Sequence, residues 1–167
     1  MNLILGNLFS LLAMLADSFS SSRKTVKGML LVQCLGQFFY ILCSLALKGY
    51  SAVVQNVVSI LRNCLAISKY QSKVLEWALV ISGVVFGIMF NNLGVFGWLP
   101  ILANLEYTLA IFYIKDNERM MKVAFMINAF LFAIFNAVIL NFVGIITNMI
   151  IVVVTLSFLI KSAKQAK

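Results

Sequence analysis

Long apolar runs with almost no charge are the feature that most limits how this chain can fold. The clearest of them, 142–160, contains no charged residue at all. A helix that crosses a bilayer needs about 20 mostly apolar residues. The chain has 167 residues, of which 63% are apolar and 11% are charged. It therefore has room for six or seven such helices and none for a soluble domain, which predicts an all-α integral membrane protein in contact with the lipid bilayer.

Seven apolar runs with short polar connections predict seven transmembrane helices. Two of the connections are tight hairpins, at Lys48-Gly49 and at Leu140-Asn141. The predicted helices span 3–20, 27–47, 51–68, 74–90, 94–113, 121–140 and 142–160.

The cations give the predicted orientation. When the connections are assigned to alternate sides, Lys48 is the only cation in the connections on one side. The other side holds eleven: Arg23, Lys24, Lys27, Lys69, Lys73, Lys115, Arg119, Lys122, Lys161, Lys164 and Lys167. Lys and Arg concentrate in cytoplasmic loops, so the N-terminus is predicted outside and the C-terminus inside (N-out/C-in), with an odd number of spans. Because the cations lie between the apolar runs, the net charge of +8 is explained by membrane orientation. No nucleic-acid partner is therefore expected.

The chain also contains an internal repeat. With a shift of 92 residues, 49–63 aligns with 141–155 and Asn56 falls on Asn148. With a shift of 91, 5–15 aligns with 96–106. This pattern predicts a 3+1+3 layout, in which a three-helix bundle (1–69), a linker helix (74–90) and a second three-helix bundle (94–161) follow one another. Three spans and one linker span return the chain to the side on which it began. The second bundle therefore crosses the membrane in the same direction as the first, and the two are parallel repeats.

Several amides and hydroxyls lie inside the predicted spans, where polar groups must face protein, water or a ligand. Asn56, Ser59 and Asn63 share one helical stripe. Two explanations remain open for such residues, namely hydrogen bonds between helices and a solute site. For Asn56 and Asn148, at equivalent depth in the two repeats, a solute site is favoured. Further candidates to line the same cavity are Gln37, Asn104 and Asn128.

Arg62 lies deep inside a predicted span, whereas the other cations lie in connections or at span ends. A charge at the membrane centre costs about 2.5–3.5 kcal/mol on insertion scales. The side chain can extend to the headgroups or meet an acid. Glu106 lies seven residues before Tyr113, just as Arg62 lies seven residues before Lys69, so the two have matching depths. The sequence predicts an Arg62–Glu106 ion pair, with Asp17 as the second choice.

The sequence offers little for catalysis or for a cofactor. Histidine is absent, and the spacing of the three cysteines matches neither a disulfide framework nor a zinc site. No enzyme, metal or cofactor is therefore expected. Gly83 and Gly87 form a face of small residues, which predicts close helix packing or a contact between copies in a homo-oligomer.

Two stretches carry a resemblance to a known family. "QNVVSILRN" (55–63) and "GWLPILANLEYTLAIFY" (97–113) resemble the bacterial inner-membrane YgjV family. The 3+1+3 layout and the repeated asparagine resemble the wider SWEET/PQ-loop/PnuC superfamily. This second resemblance implies a carrier for a small, polar, neutral solute such as a sugar or vitamin, bound by Asn56 and Asn148. It also implies proline hinges, for which the only proline is Pro100, and this residue is not followed by Gln. A non-transporting role, as an accessory, lipid-binding or immunity-type protein, remains the alternative.

Overall fold

The structure is a computed structural model that describes residues 2–21, 26–68, 72–114 and 117–165. Within these ranges the chain forms seven α-helices and one short 3₁₀ turn (Gly94–Gly97), and no strand. The α-helices are α1 (Asn2–Ser21), α2 (Val26–Ala46), α3 (Tyr50–Ser68), α4 (Lys73–Met89), α5 (Trp98–Tyr113), α6 (Glu118–Val138) and α7 (Phe142–Gln165).

Membrane character is strongest in α1, α6 and α7. Each contains a segment long and apolar enough to cross a membrane, namely Asn2–Ser20, Arg119–Val138 and Phe142–Lys161. α2 contains a shorter apolar stretch, Leu30–Ala46. Large apolar side chains are also turned outward, for example Ile4 at 78% exposure and Ile146 at 61%. Such a surface is unfavourable in water and suits hydrocarbon, as expected for a protein embedded in lipid.

The helix ends differ from the prediction where a local residue decides them. Pro100 lacks an N–H group and is tolerated only in the first turn of a helix. The α-helix accordingly begins at Trp98, after the 3₁₀ turn, instead of at residue 94. α6 begins earlier than predicted because the Asn117 side chain accepts a hydrogen bond from the Met120 amide and caps the helix. The cations Arg23, Lys24, Lys69, Lys115 and Lys167, used for the orientation, lie outside the described residues.

The two hairpins share one backbone geometry at a spacing of 92 residues. Lys48 (φ 59°) and Leu140 (φ 58°) are the two residues other than glycine with positive φ in the described ranges. The amide after each bonds back five residues, from Gly49 to Ser44 and from Asn141 to Asn136, both at 2.8 Å. The Lys48 and Leu140 amides each bond back three residues, both at 3.3 Å. Both helix ends are thus Schellman motifs, so the two hairpins have equivalent backbone geometry.

The helices pack mainly against their neighbours along the chain. In the first half, α2 packs against α1 and α3; in the second, α6 packs against α5 and α7. The halves meet where α1 packs on α7 and where α3 packs on α5, which closes these six helices into a ring. α4 packs on α3 and α5.

A hydrophobic cluster joins the halves at the hairpin end of the ring. Phe135 and Ile139 of α6 pack with Ala52 of α3, and all three side chains are buried. A Cβ atom added at Gly49 would lie 2.9 Å from the Phe135 ring, so the first hairpin touches the second half directly. This end of the ring is filled by apolar side chains.

The face of α4 that carries the small residues Gly83 and Gly87 packs against other helices of the same chain. Gly83 and Gly87 are buried, and the Gln55 side chain donates a hydrogen bond to the Gly83 carbonyl at 2.8 Å. The close-packing explanation of these glycines is therefore confirmed, and a contact between copies is not needed to account for them.

We expect the two glycines to respond differently to alanine. At Gly87 a Cβ would lie 2.6 Å from Gln55 Nε2 and 2.8 Å from Ile101 Cγ1, whereas at Gly83 its nearest neighbour is Val58 at 3.5 Å. Gly87→Ala should lower the free energy of unfolding by about 1–3 kcal/mol through overpacking. Gly83→Ala, the matched control, should be neutral or stabilising. Unfolding of both variants in detergent measures the difference; equal effects would contradict this packing.

Candidate functional site

One side of α3 is joined to α5 by polar side chains. Gln55, Ser59 and Arg62 follow at intervals of four and three residues, so they lie on one face of the helix. Asn104 of α5 bridges two of them: its amide donates to Gln55 Oε1 at 2.8 Å, and its oxygen accepts from the Ser59 hydroxyl at 3.2 Å. Because Gln55 also donates to Gly83, this network connects α3, α4 and α5.

Arg62 continues this interface toward the connection after α3. Its Nη1 donates to the Thr108 hydroxyl at 3.1 Å, and the guanidinium lies 5.7 Å from the centre of the Tyr107 ring. A hydrogen bond and a cation–π contact therefore stabilise the charge. Thr108 lies four residues after Asn104, which places both on the face of α5 that meets α3.

Glu106 does not pair with Arg62. It is two residues from Asn104 and two from Thr108, so it lies about 200° around α5 from either. Its Oε2 atom is buried and accepts no hydrogen bond within the described part of the chain. The expected ion pair is therefore wrong for this structure: matching depth does not bring together two side chains that face different ways.

Asp17, the second choice as a partner for Arg62, faces α2. A Cβ at Gly36 would lie 2.5 Å from its Oδ1 atom. The Tyr40 hydroxyl is placed to donate a hydrogen bond to the same carboxylate. Asp17 therefore belongs to the α1–α2 contact.

Asn56 lies further around α3, about 60° from Ser59. It is about 100° from Gln55 and about 160° from Val58, the two residues that contact Gly83 of α4. Asn63 shares the Asn56 face and lies beside Cys34 of α2. The Asn56 side chain is buried, at 7% exposure, and forms no hydrogen bond with the described residues. An amide left without a partner inside a membrane protein is costly.

Asn148 is placed differently from Asn56. It is half-buried, and its amide donates to the Gly144 carbonyl one turn earlier in α7, at 2.8 Å. α3 and α7 share no packed interface within the described ranges, so the two asparagines are not brought into contact. Their role as a solute site stays a prediction.

The remaining solute candidates divide into two kinds. Ser59 and Asn104 bond to each other, and Asn128 donates to the Ala103 carbonyl at 2.8 Å, which ties α6 to α5. Gln37 of α2 is half-buried and, like Asn56, forms no hydrogen bond within the described ranges. The cavity beside Asn104 measures about 10 Å³, which is at most the room of one water. Asn104 is therefore placed in a helix junction and not in a solute cavity.

Residues at the hairpin end were not anticipated. Asn92 donates to the Lys48 carbonyl at 2.7 Å and accepts from the Tyr50 amide at 3.3 Å. Asn7 donates to the Leu140 carbonyl at 3.1 Å and accepts from the Val143 amide at 3.2 Å. Asn7 of the first bundle thus holds the hairpin of the second, and Asn92, in the connection between α4 and the second bundle, holds the hairpin of the first. The repeat of Lys48 and Leu140 marked the two hairpins, but nothing in the sequence pointed to their partners.

The comparisons with known proteins give one match. Residues 4–166 match the family model Imp-YgjV, described as bacterial inner membrane protein. No curated protein and no solved structure shows a match to the chain. The chain therefore belongs to the YgjV family of bacterial inner membrane proteins, which places it in the inner membrane.

The geometry of Arg62 predicts the result of a charge exchange. Arg62→Glu with Glu106→Arg should not restore the stability lost in the single variants, because the side chains lie on different faces. Thr108→Val, the comparison variant, should cost about 1.5–3 kcal/mol, because it removes the hydrogen-bond acceptor of a charged group. Unfolding in detergent tests all four proteins. Recovery of the wild-type unfolding midpoint in the double variant would mean that the two charges do meet.

Proposed function

We propose that this member of the YgjV family is a carrier for a small, polar, neutral solute. In this proposal all seven helices span the membrane in a 3+1+3 layout, N-out/C-in, and the two three-helix halves move against each other. The repeated hairpin geometry carries the proposal. Carriers with two related halves bind solute between the halves and expose it to either side in turn, and the equivalent hairpins 92 residues apart support two such halves here.

The distribution of contacts between the halves supports a gate at one end. The Phe135 cluster and the reciprocal ties of Asn7 and Asn92 all lie at the hairpin end. The charge pattern predicts that this end is outside. The structure would then represent the state closed to the outside, and opening requires these contacts to separate.

Asn56 is the best-supported solute ligand. Its side chain is 7% exposed, its amide has no partner among the described residues, and it lies on the side of α3 turned from α4. Gln37 has an unpartnered amide too, and Asn148 bonds only to its own helix. Amides donate and accept hydrogen bonds without charge, which suits hydroxyl or carbonyl groups of a neutral solute.

The alternative is a non-transporting membrane protein. It is favoured by the amides that act only between helices, such as Asn104 and Asn128. A bundle held in one state by such bonds needs no moving halves. We assign no catalytic role in either case.

Ligand screening distinguishes the two functions. The purified protein is heated with sugars, vitamins and nucleosides, and the unfolding temperature is followed. A solute should raise that temperature by binding the folded state. Asn56→Ala and Asn148→Ala should abolish the shift, whereas Asn128→Ala, an amide already bonded to Ala103, should keep it.

Uptake into proteoliposomes then tests movement. A solute found in the screen should accumulate to equilibrium only with the wild-type protein and with Asn128→Ala. Binding that survives both Asn56→Ala and Asn148→Ala would contradict the site, and binding without uptake would favour the non-transporting protein.

A further inference from the structure

Glu106 lines an open groove on the side of α5 away from α3. The groove has a volume of about 470 Å³ and is lined along α5 from Leu102 to Ile114, with Leu131 of α6 on its other wall. Its length along α5 corresponds to about 18 Å at 1.5 Å per residue. The volume falls in the range of about 300–1,000 Å³ that is typical of small-molecule sites.

The chemistry of this groove is unusual for an apolar surface. Leucine and alanine make up most of its wall, and the Glu106 carboxylate is its one acidic group. The Oε2 atom is buried and accepts no hydrogen bond from the described residues. A carboxylate in such surroundings is strongly disfavoured without a counter-charge.

Arg62, the cation that the sequence paired with Glu106, does not complete this site. Arg62 is held by Thr108 and Tyr107 on the opposite face of α5. The groove suits bulky organic cations, because its walls are apolar and an aromatic ring lies at one end. Tyr113, seven residues after Glu106, lies on the same face of the helix, and its ring centre is 6.4 Å from that of Trp77. Aromatic faces attract organic cations.

We propose that the groove between α5 and α6 binds lipophilic organic cations, with the Glu106 carboxylate as their counter-ion. Charge complementarity selects a cation, and the apolar walls select one that carries its charge on a bulky apolar body. Glu106 lies near the middle of α5, so the ligand reaches it from within the bilayer. The site is separate from Asn56 and from any neutral solute, and it stands whether or not the protein is a carrier.

Two ions of the same shape and opposite charge test the proposal. The protein is kept in dodecyl maltoside, a detergent without an amine that could itself occupy the site. Binding of tetraphenylphosphonium and of tetraphenylborate is measured by equilibrium dialysis. Tetraphenylphosphonium should bind saturably at one site per chain. Tetraphenylborate should show only the linear uptake that detergent micelles give without protein.

Three variants locate the site. Glu106→Gln should weaken tetraphenylphosphonium binding by at least about tenfold, since it removes one partner of a desolvated charge pair. Leu109→Trp should also weaken it, because the larger ring fills the groove while the carboxylate is retained. Glu76→Gln, in the first turn of α4 and outside the lining, should bind as the wild type does.

Other results would overturn the proposal. Equal binding of the two ions, or unchanged binding in Glu106→Gln and Leu109→Trp, would show non-specific partitioning. If instead light scattering finds a dimer that Glu106→Gln dissociates, and tetraphenylphosphonium does not bind, the occupant is a second copy of the chain. If Glu106→Gln does not fold, the proposal is tested by comparing the two ions on the wild type and on Leu109→Trp. Selective tetraphenylphosphonium binding that Leu109→Trp weakens supports it, and any other result overturns it.

Discussion

Hydrocarbon supplies no hydrogen bonds, so each polar side chain inside the membrane must find its partner within the protein or in a ligand. α3 carries more such side chains than its apolar neighbours, and their partners determine how it packs. Gln55 and Ser59 meet Asn104, and Gln55 also reaches the α4 backbone at Gly83. This network joins the first half of the chain to the second along α3 and α5. The position of α4 against both helices follows from the same bonds.

The same constraint separates two kinds of polar group. Asn104, Asn128 and Arg62 have partners in neighbouring helices and stabilise the bundle. The Asn56 side chain, 7% exposed, and the buried Oε2 atom of Glu106 have no partner in the described part of the chain. Groups of the second kind are the ones that a ligand can complete. Our two proposed sites rest on them, one with a neutral amide facing away from α4 and one with a carboxylate in an apolar groove.

Sequence reasoning succeeded where the information was periodic. The alternation of apolar runs and connections predicted seven helices and tight hairpins at Lys48-Gly49 and Leu140-Asn141, which the structure confirms. It failed to predict the direction in which a side chain points around its helix. The matching depth of Arg62 and Glu106 said nothing about which face of α5 would meet α3. The start of α5 was readable in principle, because Pro100 restricts a helix to begin just before it.

The hydrogen bond between Asn104 and Gln55 gives the most direct test of how α3 packs on α5. A double-mutant cycle with Gln55→Ala, Asn104→Ala and the combined variant measures their coupling from unfolding in detergent. The account predicts a coupling of about 0.6 kcal/mol or more, the average for such bonds between membrane helices. If the two single effects instead add within about 0.3 kcal/mol, the two side chains do not interact and α3 does not pack on α5 in this way.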